Sequence, residues 1–228
     1  MCNLRPACTL RATIPATSIP ISYPNFSFQR LHIPFPSHAE TRCSQFQYRL
    51  TTCGELSLGI FTSLEDKDPE TERPKTPTIE TSAPVYSGAP ERKAVLLGHI
   101  VATKTTNPTV TDADMEIPSP SSTKDKVGHQ ETGQTICIHS LAVLPDYQGK
   151  GLGKTLMKAY LQRMEGQGVA ERVALIARQE LVVYYEGFGF VNRGKSGVRF
   201  GGGGWYDMVK ELKGVKGCGK GGEVDEMV

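Results

Sequence analysis

The segment V-L-P-D-Y-Q-G-K-G-L-G-K-T, residues 143–155, does most to limit what this chain can fold into. An apolar, strand-like run over 135–144 leads into it and an amphipathic run over 151–165 leads out, so it reads as a strand-to-helix turn. In the second run Leu152, Leu156, Tyr160 and Met164 recur every fourth position, with Met157 and Leu161 beside them and Lys154, Lys158 and Gln162 elsewhere. That pattern predicts a helix with one core face. The first turn of such a helix carries N–H groups without intrahelical acceptors and the positive end of the helix dipole, a combination that suits an anion. Glycines at 149, 151 and 153 remove the β-carbons that would hold a phosphate away. The turn therefore reads as a pyrophosphate cradle.

Around this turn the pattern alternates. Strands are predicted over 172–177, 189–193 and 205–212, with a short helix over 179–187. Upstream, 40–50 is helix-compatible, 55–61 reads as a strand whose Leu56, Leu58 and Ile60 share a face, and 94–103 is apolar enough for a central strand. The alternation predicts an α/β fold. Residues 65–93 and 104–133 are polar and proline-containing and read as flexible insertions in one domain spanning 40–213. Residues 1–39 contain Arg5, Arg11 and Arg30 but no acidic residue, and their prolines oppose an amphipathic helix. They read as a disordered leader, a non-native one or, less consistently with the prolines, a transit peptide. The Gly/Lys-rich tail 214–228 is expected to be disordered.

Composition excludes more than it assigns. A net charge of +2 points to neither nucleic acid nor a membrane surface as partner. The 6 cysteines are irregularly spaced, without C-x-x-C pairs or zinc spacing, so no metal site and no disulfide framework is expected, and a reduced cytoplasmic protein is. No apolar run is long enough to span a bilayer.

Three phosphate-binding patterns compete for the turn. G-x-G-x-x-G fails because the third glycine comes one residue early. The pattern G-x-x-x-x-G-K-[ST] fits Gly153, Lys154 and Thr155 but finds Gln148 at its first glycine, and the next strand, V-A-L-I-A, runs into Arg178 where a magnesium-holding Asp would be wanted. The third pattern, Gln/Arg-x-x-Gly-x-Gly/Ala, is met by Gln148, Gly151 and Gly153. On these residues L-A-V-L-P-D-Y-Q-G-K-G-L-G-K-T-L-M resembles the coenzyme A motif of the GNAT acetyltransferases, and L-V-V-Y-Y-E-G-F-G-F resembles the family's second motif. C-I-H-S-L-A-V together with Y-Y-E-G-F-G-F is similar to the serotonin (arylalkylamine) N-acetyltransferases and their fungal polyamine-acetylating relatives.

The resemblance implies a mixed α/β GNAT fold, a central twisted mixed sheet flanked by helices, with acetyl-CoA as co-substrate. No first strand or helix is legible before Glu40, so a fold lacking both is part of the expectation. The main chain of Leu141, Ala142 and Val143 is expected to pair with the pantetheine arm. Gln148 and the amides of Gly149, Lys150, Gly151, Leu152, Gly153 and Lys154 are expected around the pyrophosphate, with Lys150 and Lys154 able to add charge.

The reaction implied is direct attack of a small primary amine, an arylalkylamine or a polyamine, on the thioester. It needs a base for the ammonium proton, an oxyanion site and a proton for the thiolate. His139 is the expected base, acting through water. The resembling enzymes place a second histidine two residues earlier, where this chain has Cys137. Strand alternation puts Cys137, His139 and Leu141 on one face unless a bulge intervenes. Cys137 reads as a small core residue or a substrate contact. Tyr185 matches the family's general acid, with Tyr184 as packing partner or alternative. A phenol of pKa about 10 protonating a thiolate of about 8.5 is uphill by roughly 2 kcal/mol unless the site lowers the tyrosine. Trp205 and Tyr206, after a glycine run, read as packing or acceptor-side aromatics. A monomer is expected. The rival readings are a non-catalytic coenzyme A-binding module and a nucleotide hydrolase.

Overall fold

In the computed structural model, which describes residues 9–11, 39–65, 92–119 and 127–213, the strand–turn–helix–strand unit lies in the middle of a seven-stranded sheet. In chain order the elements are β1 (Thr9–Arg11), α1 (Ala39–Cys53), β2 (Leu58–Glu65), β3 (Arg92–Thr105), α2 (Asp112–Met115) and β4 (Thr135–Val143). There follow α3 (Leu152–Gln167), β5 (Arg172–Ala177), α4 (Gln179–Glu186), β6 (Val191–Lys195) and β7 (Tyr206–Glu211). The spatial order is β1-β2-β3-β4-β5-β7-β6. Every neighbouring pair is antiparallel except β4 and β5, and α3 is the crossover that a parallel pair requires.

The two sheet faces are covered differently. On one, Ile136 and Ile138 of β4, Val173 and Leu175 of β5 and Met208 of β7 meet Leu156, Met157, Tyr160 and Met164 of α3 and Val182 of α4. Tyr160 is fully buried and its hydroxyl donates to the Leu56 carbonyl at 2.9 Å. Gly168, left-handed at φ 61°, ends α3 with its N–H on the Met164 carbonyl. On the opposite face α2 and the chain before it bury Val110 and Met115 against Cys137, Ala174 and Val209, while α1 sets Phe46 and Leu50 against Val101.

Three expectations need correcting. A first strand and helix are present, the helix being the run read as helix-compatible over 40–50. β1 pairs antiparallel with β2, Thr9 opposite Phe61, inside the stretch read as a leader, and α1 precedes β2. Three residues are too few to show a period, and the inner side of α1 carries buried Gln45 and Arg49, which blur its apolar stripe. Much of 104–133 is packed and not a flexible insertion, since Val110, Met115 and Val127 are buried and the Thr111–Asp114 capping box closes α2. Leu56 lies in the 3-10 turn Gly54–Leu56 and not in a strand, though it reaches the same core as Leu58 and Ile60. Residues 66–91 and 120–126 of the expected insertions, the rest of 1–38 and the tail 214–228 lie outside the described residues.

Candidate active site

The glycine turn has the form the sequence predicts, for a different local reason. Gly149 and Gly151 adopt φ 72° and 81°, and a β-carbon on either would meet nothing within 4 Å. Handedness, not crowding, requires glycine at both. At Gly153 a β-carbon would sit 3.3 Å from the Tyr184 hydroxyl, a tight approach that the partly exposed tyrosine would have to relieve by shifting. No side chain caps α3, whose first turn starts from Gly151. Lys150 sends its ammonium over the Tyr147 ring, 5.1 Å from the centroid, and Lys154 is exposed beside a groove of about 240 Å³ formed with Val183, Tyr184, Gly187 and Phe188.

Beside this turn the central strands part. β4 and β5 pair only through Thr135, Ile136 and Cys137, opposite Arg172, Val173 and Ala174. β4 runs on to Val143 and β5 to Ala177, leaving a gap between their ends. The Leu144 N–H goes to the Leu97 carbonyl and Ala142 pairs with His99, so the main chain of Ala142 is committed to β3. By alternation the main chain of Leu141 and Val143 faces the gap. Of these groups the Val143 carbonyl already accepts the Gln148 side-chain amide at 2.9 Å, which ties the turn to the strand. The Leu141 groups and the Val143 N–H are the ones turned toward the gap without a β3 partner.

His139 is set by a break in register. Ser140 pairs with Val101 and Ile138 with Ala102, leaving His139 as the extra residue of a β-bulge. The bulge keeps His139 and Ser140 on the α1–α2 face and returns Leu141 to the α3 face, where it packs against the main core. Cys137 and His139 thus share a face with each other, not with Leu141. His139 Nε2 lies 2.7 Å from the Thr103 hydroxyl and Nδ1 3.3 Å from the Met115 sulfur. A thioether has no proton to give, so this contact is a hydrogen bond when Nδ1 carries the proton, with Nε2 accepting from Thr103. Burial, and then the Arg49 charge, hold the imidazole well below its ordinary range. Arg49 is itself buried, its pKa pushed down to about 10 by that burial, and it shares the Met115 carbonyl with Gln45.

Tyr185 lies on the opposite face, in α4, with Tyr184 and Phe190 at its ring edges, 5.2 and 5.9 Å between centroids. Burial raises its pKa instead of lowering it, so the phenol holds its proton at neutral pH more firmly than a free tyrosine. Cys137 is fully buried and its thiol pushed well up by that burial, an inert core residue. Trp205 also packs: its indole N–H donates to the Phe200 carbonyl at 2.7 Å and Arg178 covers its face at 3.8 Å. Arg178, at the end of β5, is bound to the carbonyls of Gly201 and Gly203. Sequence reading missed Thr103, Gln45, Arg49 and Met115, which reach His139 or its neighbours only through strand register and the α1–α2 cover.

Residues 84–212 match the family described as acetyltransferase (GNAT) domain. Over 73 residues the chain is 34% identical to serotonin N-acetyltransferase of Mesocricetus auratus, covering 32% of this chain and 35% of that protein. The Macaca mulatta serotonin N-acetyltransferase is 33% identical over 73 residues, 32% of this chain and 36% of that protein. Either alignment spans about a third of the relative's length. Among solved structures, the PH1933 protein of Pyrococcus horikoshii OT3 superposes with a TM-score of 0.50 at 14% identity, over 91% of this chain and 99% of that one, a likeness of fold.

Proposed function

The chain belongs to the GNAT acetyltransferase family, and from that premise we propose that it transfers an acetyl group from acetyl-CoA to a small primary amine, an arylalkylamine or a polyamine. Acetyl-CoA is the acetyl donor of this family. The observation that carries the reading is the parting of β4 and β5 after Cys137, next to an uncapped, glycine-led helix mouth. That mouth fits a diphosphate through its main-chain donors. The edge of β4 at Leu141 and Val143 fits the amide-bearing arm of the same molecule as an added strand would.

The chain's own groups fill the remaining needs. His139 Nε2, neutral at neutral pH, takes the proton from the attacking amine by way of Thr103 or water. The Leu141 N–H, turned into the gap, receives the developing oxyanion. Tyr185 keeps its proton until the carbon–sulfur bond breaks and then hydrogen-bonds or protonates the thiolate. Its raised pKa favours the hydrogen-bonding role before substrate enters. The chemistry balances: the amine nitrogen bonds to the acetyl carbon, sulfur leaves with the electron pair as a thiolate, the proton lost from nitrogen passes to His139, and the thiolate takes one from Tyr185 or, where Tyr185 only hydrogen-bonds, from water.

The test is turnover of tryptamine, phenylethylamine and spermidine with acetyl-CoA by the wild-type chain and by His139→Gln and Tyr185→Phe. Each substitution is expected to lower kcat/KM by about 100-fold or more, the usual weight of a general acid or base. Full rates in both variants would refute the roles; absence of turnover with intact coenzyme A binding would favour the non-catalytic module.

A further inference from the structure

Across the α1–α2 face the strand register lines up rows of side chains. Cys137, Ala174 and Val209 form one row, and Met115 and Val110 cover it. Beyond it, where β4 and β5 part, the same face carries His139, turned there by the bulge and set against Met115, and across the gap Ile176 paired with Asp207, which alternation keeps on the face of Ala174 and Val209. The row is apolar in the middle and has a basic group at one end and a carboxylate at the other. Because β4 and β5 part beyond Cys137, the ends lie farther apart than the roughly 10 Å of two paired strand spacings.

Asp207 is not satisfied within the fold. Its Oδ1 is buried and has no hydrogen-bond partner, although the residue keeps part of its surface exposed. A desolvated carboxylate oxygen without a donor is costly and uncommon. Arg178 is bound to the Gly201 and Gly203 carbonyls and stacks on the Trp205 ring, and Arg172 is bound to Glu171 and Glu211. At the His139 end the buried Arg49 guanidinium disfavours a second positive charge. An acceptor lying along this row is therefore drawn to place a neutral amine at His139 and to keep a charged one at Asp207.

We propose that Asp207 is a specificity residue of this site, its carboxylate binding the second ammonium of an acceptor whose first amine is acetylated at His139. The inference rests on the acetyl-transfer reading and narrows it to diamines and polyamines. A monoamine engaged at His139 has nothing to offer the carboxylate.

The experiment compares spermidine with tryptamine as acceptors for the wild-type chain, Asp207→Asn and Asp207→Glu, with thermal unfolding of each as a folding control. Asp207→Asn is expected to raise KM for spermidine about tenfold or more, as loss of a charged hydrogen bond does, with kcat changed less than about threefold and tryptamine kinetics unaltered. Asp207→Glu is expected to recover most of the spermidine KM. An unchanged spermidine KM, or equal increases for both amines, would overturn the assignment. Should no amine be turned over, the acetyl-transfer reading falls first. Calorimetric binding of spermidine to the coenzyme A-loaded chain, lost in Asp207→Asn, would then still uphold the residue's role, and equal binding or none would end it.

Discussion

The two sides of the β4–β5 gap are built from different material. On the α3 side the groups proposed to hold the donor belong to the main chain, the amides of the Gly149–Gly151 turn and the gap-facing edge of β4 at Leu141 and Val143, with Tyr185 of α4 the side chain assigned a role there. On the α1–α2 side they are side chains, with His139 held between Thr103 and Met115 and backed by Arg49 and Gln45. Main-chain donors recognise a group that never changes, such as a diphosphate, and tolerate substitution of neighbouring side chains. Side-chain networks set protonation state and acceptor choice, and one substitution disturbs them. Donor binding on the α3 side should therefore respond to backbone changes, and the stability and acceptor choice of the α1–α2 side to side-chain changes.

The largest effect is expected from Arg49→Ala, which removes a buried cation from the Met115 carbonyl and leaves a cavity under α2. Denaturant unfolding should report a loss of roughly 3–5 kcal/mol. A smaller loss would mean that Gln45 alone anchors α2.

Acid should weaken the α1–α2 side next. His99, buried and bonded to Ser140, has its pKa pushed down to about 4, and His139 is lowered too. Between about pH 6.5 and 4 the unfolded chain binds protons that the folded chain refuses. Stability is thus fully present above pH 6.5 and falls as pH falls, by about 3 kcal/mol from His99 alone across that window. Unfolding curves against pH should show the slope, and His99→Gln should flatten it.

On the α3 side Gly151→Ala should cost about 1–2 kcal/mol, because its left-handed φ disfavours a β-carbon. Coenzyme A affinity should drop with it, whereas Lys150→Ala and Lys154→Ala, which remove exposed charges, should each weaken binding less than about fivefold. Equal losses in all three would erase the contrast between the two sides. The smallest effect is expected from Cys137→Ala: turnover within about twofold of wild type, since burial keeps the thiol protonated and inert.

The α3 side was legible because its determinants are local. Periodicity over 151–165 gives the helix, and three glycines at fixed offsets give the turn; both depend on neighbours in sequence. β5 spans 172–177 as predicted, for the same reason. The α1–α2 side depends on register and on contacts between distant segments. Nothing in the spacing of Thr103 and His139 announces a hydrogen bond 36 positions apart, and only the bulge beside Val101 moves Leu141 off the face of His139. β1 is three residues long and offers no pattern to read, while α1, legible as a helix over 40–50, presents polar Gln45 and Arg49 inward, which its period does not foretell. The cover formed by Val110 and Met115 looked like a loop because two buried apolar residues in a polar stretch carry no period.

The most direct measurement is calorimetry of the folded chain with coenzyme A, with pantetheine, which lacks the diphosphate, and with magnesium ATP. Clear binding of coenzyme A, a loss of most of that affinity with pantetheine and no heat with the nucleotide are expected. Binding of magnesium ATP without binding of coenzyme A, or equal affinity for pantetheine, would contradict a diphosphate held by the mouth of α3.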